Sequence, residues 1–251
     1  MDVRSSGSVS ASVLSSPGGL PRRFLRVVDA RFFEGRAERY AHLLSRALTG
    51  APSVLDVGCG DQGTLVRTVG GLPYSVGVDI VLPSSSETRQ GNQHSEYVRL
   101  DIRRLGSHFA PRSFDCVVAL DVIEHLPKRE GEQLLRDMEQ IAKKRVIVLT
   151  PNGFLPQLPA PDNPNQEHFS GWRVTEFRRR GYHVLGVNGL KPFRGEYAAI
   201  RWRPAGLWYR LSLLSQSVAE RYPRLAFHLF CLKDVSASKI DHASLWQAGR
   251  T

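Results

Sequence analysis

The sequence predicts an α/β fold in which a mostly parallel sheet carries helices on both faces. Three observations lead there. Short apolar runs without polar alternation, Ser53 to Val57, Tyr74 to Ile80 and Phe114 to Leu120, read as strands buried on both sides. Segments with helical apolar spacing separate them, and strand–helix alternation of this kind builds a parallel sheet. A glycine-rich stretch, VLDVGCGDQG at residues 54–63, joins the first strand to the next helix.

The elements follow in order. Asp29 to Leu48 reads as a helix, because Phe33, Ala37, Tyr40, Leu44 and Ala47 recur at spacings of four and three; Gly50 and Pro52 stop it. After the strand Ser53–Val57 and the glycine stretch, Thr64 to Val69 starts a second helix. Tyr74–Ile80 is the second strand, and a polar connection follows it. Tyr97 to Leu100 is a short third strand ending at Asp101, and Phe114 to Leu120 is the fourth. Leu134, Met138 and Ile141 place one apolar face on a helix over Gly131–Lys143. Arg145 to Leu149 is a strand that Pro151 ends, and the proline-rich Phe154–Asn165 is a loop. Arg173 to Arg180 is a short helix closed by Gly181; Tyr182 to Val187 and Leu225 to Leu232 are the last strands. Between these two lies an insert, residues 191–223, with its own helix.

The expected organisation is a flexible arm over residues 1–25, one domain over 26–234, and a tail over 235–251. No apolar run reaches 18 residues, so no spanning helix is expected, and the Ser/Gly-rich N-terminus does not read as a signal peptide. Cys59, Cys116 and Cys231 lie far apart, with no CxxC pair, which suits a reducing compartment and a cytoplasmic location. The net charge of +10 is spread along the chain and reads as a solvated basic surface; no nucleic-acid partner is expected. The oligomeric state is not legible.

Gly58, Gly60 and Gly63 stand at the spacing G-x-G-x-x-G, which lets the backbone approach a ligand at a helix N-terminus. Asp79, 19 residues after Gly60, suits a ribose hydroxyl. A dinucleotide would bring a pyrophosphate here, beside Asp56 and Asp61, where like charges repel. S-adenosylmethionine (SAM) carries an ammonium, a sulfonium and a single carboxylate, and acids around it are favourable.

VLDVGCGDQG, GVDI, LDI and FDCVVALDVIEHL, in this order and spacing, resemble the successive cofactor motifs of class I SAM-dependent methyltransferases. The resemblance is close from Ser53 to Asn152 and extends through TPNGF and HFSGW to about Val187, as in small-molecule branches such as the quinone O-methyltransferases. It implies a Rossmann-like sheet of seven strands, mostly parallel and flanked by helices, with the last strand pair antiparallel. It also implies a role for each matching residue. Asp56 would orient the methionine amino group, and Gly58, Cys59 and Gly60 would lie under the methionine. Asp79 would take the ribose hydroxyls, with Ile80 on the adenine. Asp101 would meet the adenine amino group, with Ile102 beside the ring, and Leu120 would sit near the sulfonium.

The chemistry expected is methyl transfer by in-line displacement to a small-molecule acceptor: a hydroxyl of a sugar, a phenolic or quinone compound, or a secondary metabolite. Such an acceptor needs a base, and His125 in DVIEHL and His168 in NQEHFSGW are the candidates after the fourth and fifth strands, with Trp172 as a candidate wall. The remaining histidines carry no motif and are assigned to surface or packing. Asp121, Glu124, His125 and His168 are also similar to the metal site of small-RNA terminal 2′-O-methyltransferases, which carry Glu where this chain has Asp121. No metal is assigned to the site; metal-assisted RNA 2′-O-methylation stands as an alternative, beside an NAD-type oxidoreductase and a non-catalytic SAM-binding protein. TPNG in place of an N/D-P-P-Y/F motif argues against methylation of DNA amines, and Cys116 and Cys231, inside strands, are not placed for cytosine C5 chemistry.

In the insert, Leu207, Leu211, Leu214 and Val218 form one helical stripe among five arginines. Three readings follow: a cover over the domain edge, a lid on an apolar substrate, or peripheral contact of the 205–225 helix with an anionic membrane or a lipid-linked substrate.

Overall fold

The computed structural model describes residues 39–60, 64–82, 93–159 and 164–236. The expected arm and nearly all of the tail lie outside the described residues, as do Asp61, Gly63 and the first ten residues of the expected first helix.

The chain runs α1 (Arg39–Leu48), β1 (Val54–Val57), α2 (Thr64–Val69), β2 (Ser75–Asp79), β3 (Glu96–Arg99), α3 (Leu105–His108), β4 (Phe114–Leu120) and α4 (Lys128–Ile141). It continues through β5 (Ala142–Pro151), α5 (Val174–Arg179), β6 (His183–Leu190), α6 (Ala205–Leu214), α7 (Gln216–Arg221) and β7 (Ala226–Asp234). The strands form one seven-stranded sheet in the order β3-β2-β1-β4-β5-β7-β6. β1 to β5 pair in parallel, and β7 is antiparallel to both β5 and β6.

Unbroken apolar strands follow from burial on both faces. Along β4 the pleat sends Val117 and Ala119 into a core with Leu134, Leu135 and Met138 of α4, and Cys116, Val118 and Leu120 into a core with Leu43 and Leu44 of α1. All three cysteines are buried free thiols; burial pushes Cys116 up to about 12. α4 begins three residues before the apolar pattern, and its first residue is held in place: Lys128 Nζ pairs with Glu176 at 2.6 Å, donates to the Gly171 carbonyl at 2.8 Å and lies over the Trp172 ring. β5 likewise begins at Ala142: Lys144 pairs with Asp115 at 2.8 Å, and Arg145 donates to the Ala47 and Thr49 carbonyls.

The insert departs from expectation. Instead of one helix there are two, meeting at Ser215, and the leucine stripe faces outward: Leu207, Leu214 and Val218 are exposed, and Leu211 is half-buried. The inward face pairs apolar Leu213 and Ala219 with polar Ser212 and Gln216, because the end of edge strand β6 needs partners. Gly189 N–H donates to Gln216 Oε1 at 3.0 Å, Leu190 N–H to Ser215 Oγ at 2.9 Å, and Gln216 Nε2–H to the Gly186 carbonyl at 2.9 Å. Satisfying buried backbone groups outweighs covering three leucine-sized side chains. Gln216→Ala strands one donor and one acceptor; we expect a loss of about 2–3 kcal/mol in denaturant unfolding, and an unchanged midpoint would refute this anchoring role.

Candidate active site

β1, β2 and β4 end on the same edge of the sheet, where open α/β sheets bind ligands. Gly58, just after β1, has φ +72, and a Cβ on it would lie 2.5 Å from Val122 Cγ2. The backbone therefore stays bare where it turns toward the cleft. Gly60 N–H donates to Asp79 Oδ2 at 2.9 Å and Val81 N–H to Asp79 Oδ1 at 2.9 Å. Asp79 thus fixes the loop after β1 and the turn after β2, and each oxygen keeps further acceptor capacity.

A cleft of ≈ 450 Å³ opens here, with Gly58, Gly60, Asp79, Ile80, Asp101 and Ile102 among its lining residues. Its charged lining is four carboxylates, Asp79, Asp101, Asp121 and Glu130, against one guanidinium, Arg103. A pyrophosphate there would meet several like charges, whereas a sulfonium and an ammonium meet opposite ones. The NAD-type alternative is set aside on this geometry. Asp101 is clasped by Arg103, whose Nε and Nη2 donate to it at 2.9 and 2.5 Å, and this holds its carboxyl below the usual range.

A second cavity of ≈ 400 Å³ adjoins the first, sharing Gly58, Gly60, Asp121, His125 and Gln166. Cys59, Leu120, Glu124, His168 and His228 complete much of its wall. Asp121, the first residue after β4, adopts φ +54, a left-handed backbone that a non-glycine residue rarely takes. That turn sets it between the two cavities.

The two candidate bases are locked in one tautomer. His125 Nδ1 lies 2.9 Å from the Glu167 carbonyl and His168 Nδ1 2.7 Å from the Leu155 carbonyl. A carbonyl only accepts, so each Nδ1 carries the proton and each neutral ring keeps its lone pair on Nε2. Burial pulls His125 below the ordinary imidazole value, which keeps it neutral near pH 7. Glu124 is buried; its Oε2 accepts from Thr150 Oγ at 3.0 Å, while Oε1 has no partner among the described residues. Burial, with the Asp121 carboxylate beside it, pushes Glu124 well above the carboxylate range. Ligand atoms of Glu124, His125 and His168 lie within 4.8 Å of one another.

The structure brings together Gly58, Cys59, Gly60, Asp79, Ile80, Asp101, Ile102, Leu120, His125 and His168 along the paired cavities. It does not place Asp56 there. Asp56 is buried behind the loop with Oδ2 3.0 Å from His94 Nε2, and it lines neither cavity. It reaches the cofactor end only through the loop it underpins. His94 fits against Gly77, whose absent Cβ would lie 2.6 Å from the ring; the glycine of GVDI makes the space for it. Trp172 is not a wall either. It is fully buried, with Nε1–H donating to the Ile123 carbonyl at 3.3 Å and its ring against Gly131. Phe169 and Ser170 N–H donate to the Glu124 carbonyl, so the HFSGW loop is clipped to the IEH turn. The exposed aromatic at the lip of the cleft is Phe169.

His228, assigned to packing from sequence, lines the second cavity with Nε2 3.5 Å from Asp121 Oδ1. Antiparallel pairing of β7 sets it opposite Pro151, a relation that no spacing in the sequence displays. Asn188 donates to its Nδ1 at 2.8 Å, which leaves the neutral ring's proton on Nε2, toward Asp121.

Residues 55–155 match the family model of a methyltransferase domain. The chain is similar to a protein of Encephalitozoon cuniculi named as a putative methyltransferase, 27% identical over 191 residues that span 70% of this chain and 87% of that one. Among solved structures it resembles a SAM-dependent methyltransferase from Archaeoglobus fulgidus, at 17% identity and TM-score 0.46 over 85% of this chain and 99% of that one. It also resembles magnesium protoporphyrin IX methyltransferase from Synechocystis with bound SAM, at 14% identity and TM-score 0.39 over 87% and 86% of the two chains. The matched domain lies over the strand-end cleft, whose acids and bare glycine turn suit a cationic donor: the chain carries a methyltransferase domain and is a SAM-dependent methyltransferase, with SAM as its cofactor.

Proposed function

We propose that the enzyme methylates a hydroxyl oxygen of a small molecule, such as a sugar, a phenolic or quinone compound, or a secondary metabolite, seated in the ≈ 400 Å³ cavity. The observation that carries this reading is the pair of Nε2 lone pairs, on His125 and His168, in a small-molecule-sized cavity that adjoins the cofactor cleft. SAM, when bound, supplies a methyl carbon activated by its sulfonium. Asp79 would hold the ribose, and Asp121, shared by the two cavities, would supply a negative charge toward the sulfonium. His125, which lines both cavities, removes the hydroxyl proton onto Nε2, and His168 Nε2 accepts from a different donor group of the acceptor molecule, such as a neighbouring hydroxyl, and so orients it. The chain's part is positioning and one proton transfer. A cytoplasmic location accompanies this reading, supported by the three unpaired buried cysteines; no described helix is long and apolar enough to cross a membrane. The arm, domain and tail boundaries at residues 25 and 234 are likewise proposed from sequence.

Screening hydroxylated acceptors for demethylated-cofactor release tests the acceptor class; turnover confined to amines or thiols would reject it. The pH profile tests the base. His125 works as the neutral ring, and burial lowers it from 6.5, so kcat/KM should stay level down to pH 6.5 and fall only as pH drops through the lowered value. An acid limb above 7 would exclude His125.

A second reading rests on the unpartnered Glu124 Oε1 beside His125 and His168. These three residues suit a divalent cation with nitrogen and oxygen ligands, and each Nδ1–H to a carbonyl orients its ring as metal ligands require. A cation there would polarise the acceptor oxygen, including a ribose 2′-hydroxyl of RNA. Calorimetry with Zn²⁺ and Mg²⁺ on the wild type and on Glu124→Gln, together with activity after chelation, decides between them: full activity in chelator supports the metal-free reading.

A further inference from the structure

The two helices of the insert present an apolar face to solvent. Leu207, Leu214, Val218, Tyr222 and Leu225 recur at helical spacing through the break at Ser215, with Leu207 52% and Tyr222 56% exposed. Ser212, Leu213, Gln216 and Ala219 form the opposite, buried side. The leucine stripe thus stays outward while a mixed face packs inward, and the hydrogen bonds of Ser215 and Gln216 to β6 hold it that way.

Cations rim this face. Arg203, Arg210, Arg221 and Arg224 are exposed around it, and the only carboxylate between residues 201 and 225, Glu220, is taken by Arg39 at 2.6 Å. Trp202, exposed, stands before the first helix and Tyr222, exposed, just after the second. Arg224 also lines a cavity of ≈ 520 Å³ with Arg173 and Lys191, and no carboxylate is among its lining residues. An apolar stripe, amphipathic aromatics at its ends and an arginine rim form the pattern that complements a bilayer interface carrying negative charge. A neutral protein partner would leave the arginines uncompensated, and a free anion would leave the stripe uncovered.

We propose that this face docks the enzyme on an anionic lipid bilayer. The leucines, Val218 and the aromatic rings enter the headgroup region, and the arginines pair with lipid phosphates. The inference is independent of the acceptor and of the base in the active site.

The test is co-sedimentation of the full chain with phosphatidylcholine vesicles, with and without phosphatidylglycerol. The wild type should partition about tenfold more strongly onto the anionic vesicles, and added salt should weaken this. Leu214→Glu with Val218→Glu should lose about tenfold in partitioning, while SAM affinity and thermal midpoint stay at wild-type values, which rules out misfolding. Arg221→Ala with Arg224→Ala should lower only the anionic preference. Equal partitioning onto both vesicles, or an undiminished glutamate variant, would overturn the proposal. So would a wild-type dimer in sedimentation velocity that the glutamate pair makes monomeric, without vesicle binding; the face would then belong to a second copy.

Discussion

Asp79→Ala is expected to weaken SAM binding about 100-fold, measured by calorimetry. Both carboxylate oxygens already accept one backbone amide, from Gly60 and from Val81, and each retains capacity toward a ribose hydroxyl. Losing two charge-assisted hydrogen bonds at about 1.5 kcal/mol each gives about 3 kcal/mol, or roughly two powers of ten. Release of the Gly60 turn adds to the loss. Asp79→Asn keeps the shape and one acceptor and should fall between the two. An unchanged Kd in the alanine variant would remove Asp79 from the cofactor site.

His125→Ala should lower kcat by about 10² to 10⁴, the range for a lost general base, while SAM affinity changes little. His125 lines both cavities, and the Glu167 carbonyl holds its ring through Nδ1. His168→Ala should cost less in kcat and more in KM, because His168 lines only the second cavity and, on the proposed reading, positions the acceptor rather than taking its proton. Equal effects of the two variants on kcat and none on KM would reverse these roles. Single-turnover rates with preloaded SAM would separate chemistry from product release.

The parallel half of the fold was legible because it is local. Apolar runs bounded by glycine and proline marked β1, β2, β4 and β5, and the acids at their ends fell at the right spacing. The site followed only in part. Asp79, Asp101 and the glycine turn lie on strand ends, and sequence order places strand ends. His228 enters through a register between β7 and β5, and register is a long-range relation. Asp56 lies behind the loop rather than on a cavity wall because its partner, His94, comes 38 residues later, in a space that Gly77 leaves open. Trp172 was misread because an aromatic in a loop looks exposed, while its burial depends on Gly131 of α4, 41 residues upstream. The insert failed for a different reason. Apolar periodicity identifies a helical face but not the side that packs, and here the hydrogen-bonding needs of β6 chose the side.

The reversal of β7 divides the chain's tasks along its length. Apart from the lip at Asn165, Gln166 and Phe169, the cofactor cleft is lined by residues between Gly58 and Glu130. The second cavity adds walls from Pro151 onward, ending with His228 on the reversed strand. If the acceptor sits there, as proposed, substitutions in the later half should alter which acceptor is methylated without disturbing how the donor is held. Lineages of such enzymes would diverge in what they methylate chiefly through the back of the chain, and a chimera exchanging that half should exchange the product.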